Sequence, residues 1–292
     1  MRMNRIKLRS MLEQFFIEDI GDGDLSVETL FPDAAVGELQ IIAKESGVFC
    51  GTDIIKEGFL VMDPSVQVTC FIEDGERMEE QQVLAVAIGS VKNLLSAERV
   101  ILNCIQRMSA ISTKTSQLTA LLKGTEARVC DTRKTAPGLR MLDKYAVRTG
   151  GGFNHRNGLY DTVMLKDNHL AYAGSITEAV KQLRSRLGHT VKIEVEIETL
   201  EQLKEAVNAA PDIIMFDNCS PEQIKEWLPV VPKQIVTEAS GMISEETIAA
   251  YGSTGIQYIS VGALTHSVKA ADISATIQIK KAGGIRPCPY LI

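Results

Sequence analysis

The 292-residue chain has no uninterrupted apolar run of about 18 residues, the length a helix needs to cross a bilayer, so no membrane span is expected. Its basic start, Met1 to Arg9, leads into Glu13, Gln14, Glu18 and Asp19 rather than an apolar core, so no secretory leader is expected. It also lacks any C-x-x-C pair. Cys50, Cys70, Cys104, Cys130, Cys219 and Cys288 are scattered, which argues against zinc or dithiol redox sites and for reduced thiols used as small apolar fillers in the cytoplasm. An excess of positive charge is missing too. With 31 Lys and Arg against 37 Asp and Glu, the net charge is −6, which disfavours nucleic acid and acidic membranes as partners. Repeats and low-complexity tracts are absent. A 45% hydrophobic, 23% charged composition suits a soluble globular protein, and the chain is long enough to build a real core.

What is present is charge in an uneven arrangement. Eight cations (Arg128, Arg133, Lys134, Arg140, Lys144, Arg148, Arg156 and Lys166) share one stretch with only Asp131, Asp143 and Asp161. A basic island in an acidic protein predicts a local site for a small, multiply charged anion.

The chain divides near residue 112. Residues 1–30 carry a helical apolar face (Ile6, Leu8, Met11, Leu12, Phe15, Phe16), punctuated by Asp22-Gly23-Asp24. Strands are expected at Leu39–Lys44, Val66–Ile72 and Val83–Ile88, with a turn at Asp74-Gly75 and a long helix from a cap at Asn93 to about Ile111. From residue 127 short apolar runs recur, each ending on a polar residue: Asp131, Lys166, Glu196, Asp217, Glu238 and Gly262. Amphipathic stretches at Ile176–Leu187, Leu200–Ala209, Pro221–Leu228 and Glu245–Tyr251 separate several of them. This alternation predicts parallel βαβ units. Polar residues at the C-terminal strand ends favour a barrel over a doubly wound sheet, and six or seven units make it an incomplete one.

Each strand end carries a candidate chemistry. Thr132-Arg133-Lys134 places two cations beside hydroxyls, a pattern for carboxylate or phosphate. Gly150-Gly-Gly-Phe-Asn-His155-Arg156 adds a flexible approach and another cationic pair. Lys166 reads as an anion ligand or a Schiff-base nucleophile. Glu194, Glu196 and Glu198 alternate onto one inward side, where they need cations, hydroxyls or a metal. Glu196 and Asp217 suit ribose hydroxyls or a hydrated Mg²⁺. The late loops Ser240-Gly241-Met242 and Ser260-Val261-Gly262 suit phosphate bound through backbone N–H groups. Glu98 falls in the apolar stripe of the long helix, with Arg99 at its edge.

Taken together, these motifs resemble the quinolinate phosphoribosyltransferase family. The likeness is carried by Asp131 to Arg140, Lys144 to Val147, Gly150 to Arg156, Leu165 to His169, Glu194-Val-Glu196, Met215 to Asn218, Glu238 to Gly241 and Ser260 to Ser267, with Gly21 to Asp24 and Glu98-Arg99 nearer the start. Two positions depart from the family pattern: Met242, where a small or polar residue is usual, and Phe216, where Leu is usual.

The resemblance implies an N-terminal α/β sandwich domain over 1–112, an open α/β barrel over 113–269, and a terminal segment, 270–292, packed back on the first domain. It implies a homodimer with active sites shared between subunits, or a higher oligomer built from it. Arg99 would enter the partner's site, while Arg133, His155, Arg156 and Lys166 hold the carboxylates of quinolinate. Lys134, Glu196, Asp217, Ser240, Gly241 and Gly262 would contact phosphoribosyl pyrophosphate, with Lys134, Glu196 and Asp217 nearest the chemistry, and Thr132, Met242, Ser260 and Val261 would complete the substrate-binding set. Mg²⁺ would sit mainly on the substrate pyrophosphate, with water linking it to Glu196 and Asp217. The activity implied is phosphoribosyl transfer with decarboxylation, giving nicotinate mononucleotide for NAD synthesis. The rival readings are a paralogous phosphoribosyltransferase of molybdate-transport operons, a barrel aldolase using Lys166, and a non-catalytic sensor of a phosphorylated metabolite.

Overall fold

The computed structural model describes residues 3–281 and 284–286 and divides the chain into two compact units. The first comprises residues up to Thr113, the insertion Met141–Gly150 and the described residues from Val268 on. The second comprises Lys114–Arg140 and Gly151–Ser267.

The first unit begins with helix α1 (Arg5–Ile20), capped by Asn4, whose side chain accepts from Lys7 N, and buries Leu8, Leu12 and Phe16. The single helical segment expected over 1–30 is two. The chain turns at Gly21 and restarts as α2 (Leu25–Leu30), capped by Asp24. Next come β1 (Val36–Ala43), the short β2 (Gly47–Val48), α3 (Thr52–Met62), β3 (Gln67–Cys70), β4 (Arg77–Met78) and β5 (Val83–Ser90). Helix α4 (Val91–Leu121) follows β5 without a loop, and the division between the units falls within it. Asn93 is therefore not its cap; Asn93 Nδ2 donates to Asp63 Oδ2 at 2.7 Å instead.

Much later, β12 (Ile273–Lys281) pairs antiparallel with β1 along its whole length, and β13 (Gly284–Arg286) with β12. The antiparallel sheet runs β13-β12-β1-β5-β3. Leu39, Ile41, Ile54, Ile55, Phe59 and Leu84 are fully buried in this unit. The rest of the 270–292 expectation, Cys288 included, lies outside the described residues.

The insertion was expected to belong to the barrel stretch, but its side chains are spent in the first unit. Arg107 on α4 grips the buried Asp143 through two hydrogen bonds, Nε to Oδ1 at 2.7 Å and Nη2 to Oδ2 at 2.8 Å. Ser112 Oγ donates to Ala146 O at 2.8 Å and Tyr145 OH to Asp74 Oδ2 at 2.8 Å.

The second unit alternates strands and helices. After β6 (Arg128–Cys130) and α5 (Arg140–Thr149), which supplies most of the insertion, come β7 (Thr162–Leu165), α6 (Asp167–Ala173), α7 (Ile176–Arg186), β8 (Lys192–Ile197), α8 (Leu200–Ala209), β9 (Ile213–Asp217), α9 (Pro221–Trp227), β10 (Val236–Ser240), α10 (Ile248–Gly252), β11 (Tyr258–Ser260) and α11 (Ala263–His266). All six strands pair in parallel, in the order β6-β11-β10-β9-β8-β7. Neighbours follow chain order from β7 to β11, and the first strand then pairs with the last. A doubly wound sheet would put the first strand inside; here the ring curls toward closure and stays open between β6 and β7. That is the incomplete barrel expected from the alternation. Its strands are apolar and buried on both faces, with Ile193, Val195, Ile214, Phe216, Ala239 and Ile259 at zero exposure, as parallel sheets require.

Candidate active site

A cavity of about 590 Å³ opens at the C-terminal ends of the six strands. The loop after β6 brings Thr132, Arg133 and Lys134 to it, the segment before β7 brings His155 and Arg156, and Lys166 follows β7. Opposite them stand Glu196 on β8 and Asp217 at the end of β9. Ser240, Gly241 and Met242 close β10, and Ser260 and Gly262 close β11.

Neutral groups hold Arg156 and the Lys134 loop, and a carboxylate pairs with Lys166. Arg133 Nε is buried without a hydrogen-bond partner, a costly state that a bound anion would relieve. Arg156 donates through Nη1 to Thr162 O at 3.2 Å and through Nη2 to Met164 Sδ at 3.6 Å. Burial, and then the Arg133 guanidinium, push the Arg156 pKa below its ordinary value. Lys166 Nζ pairs with Glu196. The Lys134 loop is tied at both ends: Lys134 N donates to Thr132 Oγ1 at 3.0 Å, and Thr265 Oγ1 donates to Lys134 O at 2.8 Å.

Burial raises the Glu196 carboxyl above its ordinary value; Lys166 opposes this, while Asp217 and Glu194 add to it. Asp217 Oδ2 accepts from Asn218 Nδ2 at 3.1 Å. Asn218 N donates to Ser240 O at 2.9 Å, holding the ends of β9 and β10 together. Gly241 has φ +104° there, and any Cβ on it would sit 2.7 Å from Asn218 N and 2.8 Å from Asn218 Cα. Only glycine fits that approach.

Under the cavity floor lies a layer of buried acids. Asp131 and Glu194 have zero exposure, and Glu238 is nearly as deep. Asp131 accepts from His155 N at 2.9 Å and from Asn154 Nδ2 at 2.5 Å. His155 Nε2 lies 3.0 and 3.2 Å from the two oxygens of Glu194, the better hydrogen-bond geometry being to Oε1, and 3.6 Å from Glu238 Oε1. Ser260 Oγ donates to Glu238. Burial, then the Glu194 charge, raise Glu238 to about 7.

The structure thus gathers most of the expected residues at the cavity and turns two of them, Val261 and Ser260, elsewhere. Val261 is buried and does not line the cavity; its N–H donates to Cys130 O at 2.9 Å, which removes it as a phosphate donor. Ser260 lines the cavity, but its hydroxyl is engaged inward, by Glu238 and by Asp131 O at 3.3 Å. Arg99 belongs to the first unit, 60% exposed, with Glu98 Oε1 3.8 Å away.

The basic island is also divided. Arg128 stacks on Phe153 and Tyr258, its guanidinium carbon 5.0 and 5.9 Å from the ring centroids. Arg140 bonds Thr135 Oγ1 and Asn157 O, and Lys144 and Arg148 lie in the first unit. Four of the eight cations line the cavity. Met164, Met215, Asn218, Ile243, Ser244, Ala263 and His266 also line it, unforeseen. Met215, Asn218, Ala263 and His266 had a signal, lying within the motifs that carry the family resemblance without being assigned a site role. A larger cleft of about 740 Å³ lies among residues flanking the opposite ends of β10 and β11, lined by Lys225 and Lys233 but no carboxylate, and it lacks the charge pairs chemistry needs.

An open barrel with paired cations, paired carboxylates and a glycine-tight loop at its C-terminal strand ends defines an α/β-barrel enzyme for multiply anionic substrates. Comparison with known proteins narrows the class. Residues 24–109 match the model of the quinolinate phosphoribosyl transferase N-terminal domain, and residues 111–276 that of its C-terminal domain. The chain is 49% identical over 289 residues to a probable nicotinate-nucleotide pyrophosphorylase [carboxylating] of Bacillus subtilis, covering 99% of both chains. It is 38% identical to the nicotinate-nucleotide pyrophosphorylase [carboxylating] of Mycobacterium leprae, over 91% of this chain and 95% of that one. The crystal structure of NadC from Streptococcus pyogenes superposes with a TM-score of 0.92 at 36% identity, covering 96% of this chain and all of that one. The chain belongs to the quinolinate phosphoribosyl transferase family.

Proposed function

We propose that the protein joins quinolinate to phosphoribosyl pyrophosphate, releasing pyrophosphate and CO₂ and forming nicotinate mononucleotide for NAD synthesis. The observation that carries this reading is the buried, unpartnered Nε of Arg133 beside Arg156, in a cavity whose facing wall presents Glu196 and Asp217. A pyridine dicarboxylate answers the first feature and a ribose the second.

The ring nitrogen of quinolinate donates its lone pair to the anomeric carbon of the ribose, and the bond from that carbon to pyrophosphate breaks. Arg133, Arg156 and Lys166 hold the two carboxylates and set the ring's angle of approach. Glu196 and Asp217 accept ribose hydroxyls and stabilise the positive charge that develops on the sugar. Lys134 and the Gly241 and Gly262 loops take the phosphates. Once alkylated, the ring nitrogen is cationic, so the carbon–carbon bond to the neighbouring carboxylate breaks more easily. Its electron pair stays on the ring carbon, which takes up a proton as CO₂ leaves. No enzyme nucleophile is needed; positioning and fixed charge supply the acceleration.

Mg²⁺ fits this donor set. Glu196 and Asp217 supply hard oxygens, and burial with carboxylate neighbours holds Glu196 above its ordinary value, a repulsion a divalent cation relieves. Glu196 and Asp217 would hold the ion, which would supply charge neutralisation for the pyrophosphate leaving group. The subunits act as a homodimer, with Arg99 completing the partner's site. Its exposed guanidinium with one distant counter-ion supports this, as do the exposed Ile6, Ile17, Leu25 and Leu30 on α1 and α2. Cys50, Cys70, Cys104 and Cys219 are free thiols, which supports a reducing cytoplasm. Among the described residues no helix is long and apolar enough to cross a membrane.

The test is to supply quinolinate, phosphoribosyl pyrophosphate and Mg²⁺ and follow CO₂ and pyrophosphate, expected in equal amounts. Binding without turnover would support a sensor, and borohydride trapping at Lys166 with a carbonyl substrate an aldolase.

A further inference from the structure

The layer of acids beneath the cavity is not used by the chemistry above, yet it contacts the loop that carries Arg156. The backbone N–H of Arg156 donates to His155 Nδ1 at 2.8 Å, so Nδ1 is an acceptor and the ring proton sits on Nε2. That proton points to Glu194, with Glu238 alongside. On the other side, Asp131 accepts from His155 N and Asn154 Nδ2. The Asn154–Arg156 turn is therefore pinned at its backbone, at its imidazole and at its asparagine, all by acids that water does not reach.

We infer that Glu194 is a positioning residue: assisted by Glu238, it fixes His155 as the Nε2–H tautomer, and that tautomer holds the Arg156 backbone where its guanidinium meets the dicarboxylate substrate. The other tautomer would place a proton on Nδ1 against the Arg156 N–H, breaking the 2.8 Å bond and pushing the turn outward. The ligating atoms of His155, Glu194 and Glu238 lie within 4.8 Å of one another, a spacing that also suits a metal ion. A metal would need the Nε2 lone pair, however, and the Arg156 N–H bond at Nδ1 leaves the ring proton on Nε2. A proton, not a metal, occupies this cluster. Glu194 Oε2, buried with no hydrogen-bond partner, is the oxygen that lies nearest the imidazole without completing a bond, at 3.0 Å.

This inference rests on the quinolinate reading for its substrate but has a readout independent of turnover. Long-range ¹H–¹⁵N spectra of the ¹⁵N-labelled protein at pH 7, with His155→Asn for assignment, should show His155 protonated at Nε2 and bare at Nδ1. Glu194→Leu, similar in bulk but without an acceptor, should lose that single-tautomer signature. It should raise KM for quinolinate by about tenfold or more, while KM for phosphoribosyl pyrophosphate stays within about twofold. Glu194→Gln, which keeps an acceptor oxygen, should recover the quinolinate KM to within about threefold. An Nδ1–H or doubly protonated His155 in the wild type overturns the inference even if Glu194→Leu fails to fold. So does a stoichiometric metal found by elemental analysis and lost in Glu194→Gln, or an equal rise in both KM values. A wild type that binds quinolinate without turnover would instead count against the proposed function, leaving the tautomer result to stand or fall by itself.

Discussion

Gly241→Ala probes the tightest backbone approach in the cavity. The new Cβ would stand 2.7 Å from Asn218 N and 2.8 Å from Asn218 Cα, where ordinary contact begins at 3.4 Å, so the chains must part by about 0.7 Å. Neither obstacle is a flexible side-chain tip. Moving Asn218 N away strains its bond to Ser240 O, worth about 1 kcal/mol, and an alanine at φ +104° adds on the order of 1–3 kcal/mol. Part of this cost will appear as a Tm a few degrees lower. The larger effect should be on the sugar-phosphate substrate, because a displacement near 1 Å in a positioning element lowers rate by as much as about 100-fold. Steady-state kinetics with each substrate varied should show kcat/KM for phosphoribosyl pyrophosphate reduced about 30- to 100-fold. KM for quinolinate, held from the β6 and β7 ends, should stay within about threefold. Values for phosphoribosyl pyrophosphate within threefold of wild type would refute the assignment of this loop to phosphate.

Arg133→Ala and Lys166→Ala should each lower kcat/KM for quinolinate by about tenfold or more, read in the coupled CO₂ and pyrophosphate assay; near-wild-type turnover in both would remove them from the site. Asp143→Ala removes the two hydrogen bonds that the half-buried Arg107 guanidinium makes to a buried carboxylate and should destabilise the first unit by about 1.5–3 kcal/mol, measured by urea unfolding. Glu238, raised from 4.5 to about 7 mainly by burial, stabilises the fold fully below 4.5 and loses that contribution as pH rises through 7. Wild type should therefore lose stability between about pH 4.5 and 7 relative to Glu238→Gln, by a few kcal/mol at most; parallel pH dependences of urea stability for the two proteins would contradict this. Dimers mixed from impaired Arg99→Ala and Lys166→Ala subunits should regain part of the activity, since half of their shared sites are intact; verified mixed dimers no more active than either parent would place Arg99 elsewhere.

How far the sequence could be read depended on how locally each feature is encoded. The six barrel strands were legible because a strand buried on both faces is a continuous apolar run, and a run such as Ile213 to Phe216 has few other readings. Helix α3 was missed because its start is capped from a distance: Gly51 offers no side chain, and Gly51 N, Thr52 N and Thr52 Oγ1 all donate to Asp74 Oδ1. Helix α4 was cut short near Ile111 because its buried face turns polar there. Ser109, Ser112 and Thr115, three residues apart, are fully buried, with Ser109 and Ser112 bonded to backbone groups of Cys50 and Ala146. A hydrophobic count stops at such a face although the packing continues.

The same contrast holds in the site. Residues whose position at a strand end is also their function, such as Lys166 and Asp217, could be found one at a time. Glu194 was read as an inward acid in need of a partner, but that partner, His155, lies 39 positions away and Glu238 a further 44 beyond Glu194. Charge counted along the chain misled for a related reason. Arg128 is adjacent in sequence to the cationic loop, yet its guanidinium lies over two aromatic rings, a use that needs no anion. Separation along a strand end, not density along the chain, decides which cations meet a substrate. The barrel turns six such ends into one surface, and the buried acids below it fix where that surface holds its charge.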